Sequence, residues 1–369
     1  MFAGAKNYQG IWLDESDHSV VRVIDQNRLP FFFEIKELRS VEDIYNSISD
    51  MTIRGAPLIG AAAAFGLYMA TFDITRNVDF LHHLENAARY LVSCRPTAVN
   101  LARAVNFVLD MIKNDVSGAP PGETALRAAI ELCELEKENC RLIGVNGMPL
   151  IAEISNRKEG KPVNILTHCN AGWLASIDYG TATAPVYMAH SAGIPVHVWI
   201  DETRPRNQGS RLTAWELEQA GVPYTLITDN TGGHLMQHGM VDIVLVGSDR
   251  TTVRGDVANK IGTYLKALAA KDNKIPFYSA FPSTTFDFSL NDGIKEIPVE
   301  ERDEEEIAYI EGFNGETIEK VRICPENARS ANFGFDVTPA KLITGLITEK
   351  GICKPSEKEI RKIFSDKIK

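Results

Sequence analysis

From about Val163 onward the sequence repeats one rhythm, a short apolar run followed by a stretch of helical patterning. The apolar runs are 163–166, 196–200, 224–227, 243–246 and 277–280, and the helical stretches between them are 181–191, 210–220, 233–238 and 257–270. Strand and helix in alternation predict a parallel sheet covered on both faces. Right-handed crossovers then bring every strand's carboxyl end to one edge. The residues at those ends are His168-Cys169-Asn170, Asp201-Glu202-Thr203-Arg204, Thr228-Asp229-Asn230, Ser248-Asp249-Arg250 and Pro282-Ser283-Thr284-Thr285. Any one of them is ordinary loop filler. Five hydrogen-bonding or ionisable ends on one edge mark a ligand crevice.

The earlier part of the chain reads differently. Short strands are expected at 11–13, 19–24 and 31–33, and helices at 41–48, 59–69, 79–93, 98–113 and 124–143. The run 59–69 holds four consecutive alanines with glycines beside them, which suits a tightly packed buried helix. Gly118-Ala119-Pro120-Pro121-Gly122 breaks one helix from the next. The expected organisation is an α/β protein in two units. Residues 1–145 form a smaller, mainly helical amino-terminal domain with short strands, and 146–369 a carboxyl domain with a Rossmann-like parallel sheet. The acidic run 300–306 reads as a solvated turn or helix start, and 357–369 as a terminal amphipathic helix.

The 369 residues carry a formal net charge of −10, which disfavours nucleic acid as a main partner. No apolar stretch is long enough to span a bilayer, and the amino terminus lacks a secretory signal pattern. The expected location is therefore the cytoplasm. Six cysteines without close pairs fit a reducing compartment, and Cys133 and Cys140 read as core packing on one helix. No zinc spacing, GxGxxG fingerprint or phosphate loop is complete. Gly55 to Gly60 imitates the last of these, but Ala61 stands where the lysine belongs. His234 and His238 lack an evident third ligand. Neither a metal nor a cofactor is expected.

Two strand ends carry the chemistry. Cys169 is either an inert buried thiol or, at a strand end near a helix start, an activated one. Asp249 is either a cap or salt-bridge partner of Arg250, or a carboxyl whose apolar surroundings raise its pKa enough to make it an acid. Lys260, next to Asn259, is either a surface lysine or a ligand for an anion. Arg204, Arg206 and Arg211 with Gln208 either bind phosphate or neutralise Asp201 and Glu202. Arg54 and Arg95 each lie in a turn near a helix start.

These segments, with Arg95-Pro96-Thr97-Ala98-Val99-Asn100-Leu101 and the stretches 51–60, 166–172, 201–212, 246–250 and 255–263, resemble the methylthioribose-1-phosphate isomerase family. The wider group includes ribose-1,5-bisphosphate isomerases and the regulatory subunits of translation initiation factor 2B. The resemblance implies a cofactor-free conversion of a 1-phosphorylated aldofuranose to a ketose 1-phosphate, by a homodimer. It implies Cys169 and Asp249 as the catalytic pair, and Arg54, Gly55, Ala56, Arg95, Gln208, Asn259 and Lys260 as substrate contacts. Ser248, Arg254, Phe281 and the segment Ala331-Asn332-Phe333-Gly334 depart from the family pattern. A phenylalanine at 281 in place of alanine is expected to shorten the pocket at sugar carbon 5 and to favour 5-deoxyribose 1-phosphate over the methylthio sugar, unless its ring points into the core instead. Two other classes compete with an isomerase. One is a non-catalytic sugar-phosphate or nucleotide sensor, which does not need the Cys169–Asp249 pair. The other is a cysteine hydrolase using His168, which adjacent strand positions place on the opposite face from Cys169.

Overall fold

The computed structural model describes all residues except 1, 4–5, 73–78, 96–98 and 366–369. Its centre is a seven-stranded sheet. In spatial order the strands are Gly351–Cys353, Gly345–Thr348, Phe277–Ala280, Ile243–Val246, Val163–Thr167, Val196–Asp201 and Tyr224–Ile227. All neighbours run parallel except the edge pair 345–348 and 351–353. The five expected strands are therefore present. Two further ones close the far edge.

Chain order decides where a ligand can enter. The first strand, 163–167, lies mid-sheet. The next two, 196–201 and 224–227, extend the sheet to one side, and 243–246 then begins again on the other. The order reverses between 163–167 and 243–246, so their carboxyl ends flank a crevice that no crossover covers. Cys169 follows one of these strands and Asp249 the other.

Three expectations need correction. Residues 257–270 do not form one helix. Val257–Lys260 is a strand, paired antiparallel with Arg250–Thr252 and with Phe335–Thr338 in a second, four-stranded sheet. Gly262, at φ +102°, turns the chain before the helix Thr263–Asp272. Residues 31–33 are not a strand, which lies instead at Ile35–Leu38. The three phenylalanine rings pack outward: Phe33 stacks on Trp215, and Phe31 and Phe32 meet Phe313. The helix expected at 124–143 runs from Pro121 to Arg157. Gly144 and Gly147, just past the expected end, serve close packing. A Cβ on Gly144 would sit 2.6 Å from the Met188 side chain, and one on Gly147 2.5 Å from Pro185. Their bareness lets the helix Ala184–Ser191 press against the long one.

The division at 145/146 thus falls inside one continuous helix. The apolar cores still change along it. Ala125 to Cys133 join a core made almost wholly of residues 11–132, while Ile143, Ile151 and Ile154 join the core under the parallel sheet. The helix Ala56–Ala70 lies at the centre of the first core, buried at every residue. That is why its composition is so small and apolar. The helices Val41–Ser49, Phe80–Ser93 and Val99–Lys113 around it are amphipathic, and at the first of them Ser40 accepts the Asp43 N–H as N-cap. Among the described residues no helix is long and apolar enough to cross a membrane.

Candidate active site

A pocket opens where the strand order reverses. It is lined by Arg54, Gly55, Ala56, Arg95, Cys169, Gln208, Asp249, Asn259 and Lys260, together with Met51, Asn170, Gly247 and Phe335 among others. All nine residues singled out from the sequence therefore line one cavity. They arrive from distant parts of the chain, Gln208 from just before the helical turn Gly209–Thr213. Arg54 to Ala56 lie at the amino end of the buried helix, Cys169 and Asp249 follow the two central strands, and Asn259 and Lys260 belong to the second sheet. Arg95 follows the helix Phe80–Ser93, and the rest of its motif, 96–98, lies outside the described residues.

Gly55 has φ +99°, and a Cβ there would sit 2.2 Å from the Ala175 carbonyl oxygen. Only glycine fits. Its conformation turns the chain so that a 15-residue helix starts at the pocket wall with its first N–H groups free.

Cys169 is itself left-handed, at φ +67°. Its thiol donates to Gln208 Oε1 at 3.4 Å, and Arg54 Nη1 lies 4.0 Å from Sγ. Burial pushes the thiol pKa up, opposed by Arg54 and Lys260. Asp249 shows the same contest. Burial raises its carboxyl above the ordinary range, while Lys260, Arg95 and Arg54 pull it down without prevailing. Burial lowers the Lys260 ammonium, opposed by Cys169 and Asp249. Its Nζ lies 5.0 Å from the centroid of Phe335. The pocket is thus a place where burial favours the protonated form of a carboxyl even beside three cations.

Arg54 is more committed than the sequence suggests. Both terminal nitrogens donate to the Asn170 carbonyl, at 2.9 and 2.7 Å, and Nη2 also donates to the Asn170 side chain. Asn170 in turn donates to Glu216 at 2.9 Å. The fully buried Glu216 carboxylate also accepts from the Trp173 and Leu174 N–H groups and from the Tyr187 hydroxyl, at 3.0, 3.0 and 2.7 Å. This is the brace under the cysteine loop, and sequence reasoning missed it. Glu216 lies in an apolar stretch, Ala214-Trp215-Glu216-Leu217, and a charge at a core position is the signal that could have revealed it.

His168 does not line the pocket. It is buried behind it, with Nδ1 2.8 Å from Asp201 and Nε2 2.7 Å from the Ile261 carbonyl. A hydrolytic Cys–His pair therefore has no geometry here. Asp201, His168 and Asp229 hold ligand atoms close enough for a cation, but Lys266 already sits 3.1 Å from the Asp201 carboxylate. Arg204, Arg206 and Arg211 do not line this pocket, and of the two readings of the cluster it is neutralisation that holds for Arg204, which acts on Glu202. Arg204 donates to the Glu306 and Ile307 carbonyls, Arg206 pairs with Glu306, and Arg211 pairs with Glu311 and holds the Leu29 carbonyl. Phe281 is also a correction. It is fully buried against Phe286 in the sheet core and does not line the pocket.

The sequence of residues 52–355 matches the model of the Initiation factor 2 subunit family. Two solved structures match over nearly the whole chain. One is a translation initiation factor eIF-2B, subunit delta, from A. fulgidus, 39% identical over 97% of this chain and 100% of that one, with a TM-score of 0.77. The other is a 5-methylthioribose 1-phosphate isomerase from Pyrococcus horikoshii OT3, 36% identical over 98% of this chain and 97% of that one, with a TM-score of 0.82. The methylthioribose-1-phosphate isomerase of Desulfatibacillum aliphaticivorans is 54% identical over the full length of both chains. That of Brucella anthropi is 52% identical, again over both full lengths. The chain belongs to the Initiation factor 2 subunit family, in its methylthioribose-1-phosphate isomerase branch. Family membership agrees with a fold that places Cys169 and Asp249 on one crevice, and with the α/β architecture expected from the strand rhythm.

Proposed function

We propose that this protein isomerises 5-methylthioribose 1-phosphate to 5-methylthioribulose 1-phosphate, using side chains alone. The observation that carries the reading is the meeting of Cys169, an Asp249 whose carboxyl pKa is raised by burial, and the cations Arg54, Arg95 and Lys260 in one pocket. The full-length relatives bearing the isomerase name support it. The pocket walls come from the amino-terminal helical unit and the Rossmann-like unit, 1–145 and 146–369 in the division drawn from sequence.

Phosphate on carbon 1 prevents simple opening to a free aldehyde, so the ring oxygen must be protonated as its bond to carbon 1 breaks. Asp249 supplies that proton. A hydride then moves with its electron pair from carbon 2 to carbon 1. The proton of the carbon 2 hydroxyl leaves and returns to Asp249, which resets the acid. Cys169 starts as a thiol donating to Gln208, so it is poorly suited to act as a base. In this scheme it stabilises charge at the reacting carbons in a pocket shielded from water. Arg95, Lys260, Arg54 and the free N–H groups at Gly55 and Ala56 receive the phosphate. The enzyme is proposed to work as a homodimer in the cytoplasm.

The test is turnover of 5-methylthioribose 1-phosphate followed by proton NMR in deuterated water, with 5-deoxyribose 1-phosphate and ribose 1,5-bisphosphate as competitors. Conversion without deuterium at carbon 1 is expected. Deuterium at carbon 1 would replace the hydride shift by an enediol route. No conversion would leave the sensor reading in its place.

A further inference from the structure

Two left-handed residues that are not glycine face each other behind the pocket. Cys169 has φ +67° and Thr203 φ +66°. For a β-branched residue this conformation is an outlier, kept only where the surroundings enforce it. The surroundings are specific. The Cys169 N–H donates to Thr203 Oγ1 at 2.8 Å, and the same hydroxyl donates to the Asp201 carbonyl at 2.9 Å. On its other side the Cys169 carbonyl accepts from Thr213 Oγ1 at 2.7 Å, and that hydroxyl accepts from Asn170 Nδ2 at 3.1 Å. Each hydroxyl uses both its donor and its acceptor capacity. Both threonines are fully buried. Thr203 is fixed in turn by Asp229, whose carboxylate accepts the Thr203 and Arg204 N–H groups at 2.7 and 2.8 Å.

We infer that Thr203 and Thr213 are positioning residues for Cys169, gripping its N–H and its carbonyl so that the strained backbone aims the thiol into the pocket. The inference rests on the isomerase reading for what the thiol does there, but not for the grip itself. Neither threonine lines the pocket, so neither touches substrate. The arrangement also explains how adjacent residues divide their work. His168 turns back to Asp201 and the Ile261 carbonyl, while Cys169 turns forward to Gln208 and Arg54. A relaxed, right-handed Cys169 would draw the sulfur away from Arg54 and Lys260.

The experiment compares Thr203→Val and Thr213→Val with Thr203→Ser and Thr213→Ser. Valine keeps the shape and removes the hydroxyl, whereas serine keeps the hydroxyl. Loss of aim by a fraction of an ångström is expected to lower kcat about 10- to 100-fold, with KM changed by less than about threefold. The serine variants should stay within about threefold of wild-type kcat. A second measurement needs neither substrate nor full stability: the pH dependence of Cys169 alkylation by iodoacetamide, read by peptide mass spectrometry. Its midpoint should rise in the valine variants, because the sulfur leaves the field of the two cations, and return in the serine ones. Valine variants with wild-type kcat and an unmoved midpoint would overturn the inference. So would serine variants as impaired as the valine ones, since the hydroxyl would then not be the acting group. If wild type fails to turn over the sugar, the isomerase reading falls, and the alkylation profile still decides the grip.

Discussion

The strands Val163–Thr167 and Ile243–Val246 lie side by side, yet the residues that follow them are held in opposite ways. Past the first strand, Cys169 is gripped by two threonines, and the loop beyond it hangs on the buried Glu216. Past the second, the Asp249 backbone makes a ladder-type bond to the Ala258 carbonyl, and the side chain is governed by burial against three cations. One end is controlled by position and the other by electrostatic surroundings. The contrast suits the chemistry proposed for each. A sulfur that stabilises developing charge must be aimed. An acid must first keep its proton, and a low-dielectric wall does that with little help from hydrogen bonds.

The contrast breaks most visibly in turnover. Asp249→Asn keeps the shape and removes the proton, so kcat is expected to fall about 100-fold or more while KM moves little. Steady-state kinetics on both Asp249→Asn and Cys169→Ala check this, and near wild-type turnover in either would remove that residue from the mechanism.

A smaller effect separates backbone from side chain at position 169. Glycine adopts φ +67° without strain and alanine does not. Cys169→Gly is therefore expected to be more stable than Cys169→Ala by about 1 kcal/mol, against the usual order of the two residues. Urea unfolding of the pair measures it, and an alanine variant at least as stable would mean the left-handed geometry is not enforced.

The smallest effect is on stability at Asp249. Its folded-state pKa is raised, so the folded chain binds the proton more tightly than the unfolded chain does. Stability from this group is complete below its unfolded pKa and declines as pH climbs through the folded one. At neutral pH Asp249→Asn should melt slightly above wild type, and the gain should vanish in acid below the ordinary aspartate range. Melting curves across pH decide it. A neutral-pH loss of stability would show that the cations around Asp249 outweigh its burial.

Much of this was legible in the sequence. The strand rhythm and polar strand ends located the crevice because apolar runs of four to six residues have few other uses. What escaped was mostly glycine and charge acting at a distance. The long helix was expected to end at 143, because sequence alone does not show Met188 and Pro185 pressing on Gly144 and Gly147. The strand at Val257–Lys260 was hidden because one of its partners, Phe335–Thr338, lies far along the chain and the nearby one, Arg250–Thr252, is only three residues long. Phe281 drew attention because it stands where the family pattern has alanine, yet of the two neighbours only Pro282 reaches the pocket. The acidic run 300–306 was only partly anticipated. Glu305–Ala308 is a short helix turn, but Glu300 pairs with buried Arg95 at 3.3 Å and with Arg302 at 2.8 Å.

The unbroken helix from Pro121 to Arg157 has a mechanical consequence. At 1.5 Å per residue it is a rod of roughly 55 Å. One end is embedded in the core that carries Arg54 and Arg95, and the other in the core beneath Cys169 and Asp249. A clamshell needs a pliable seam where its valves meet, and here that seam is crossed by one helix, whose interior proline, Pro149, lies on the side of the parallel-sheet core. Any hinge between the two cores would have to bend that helix.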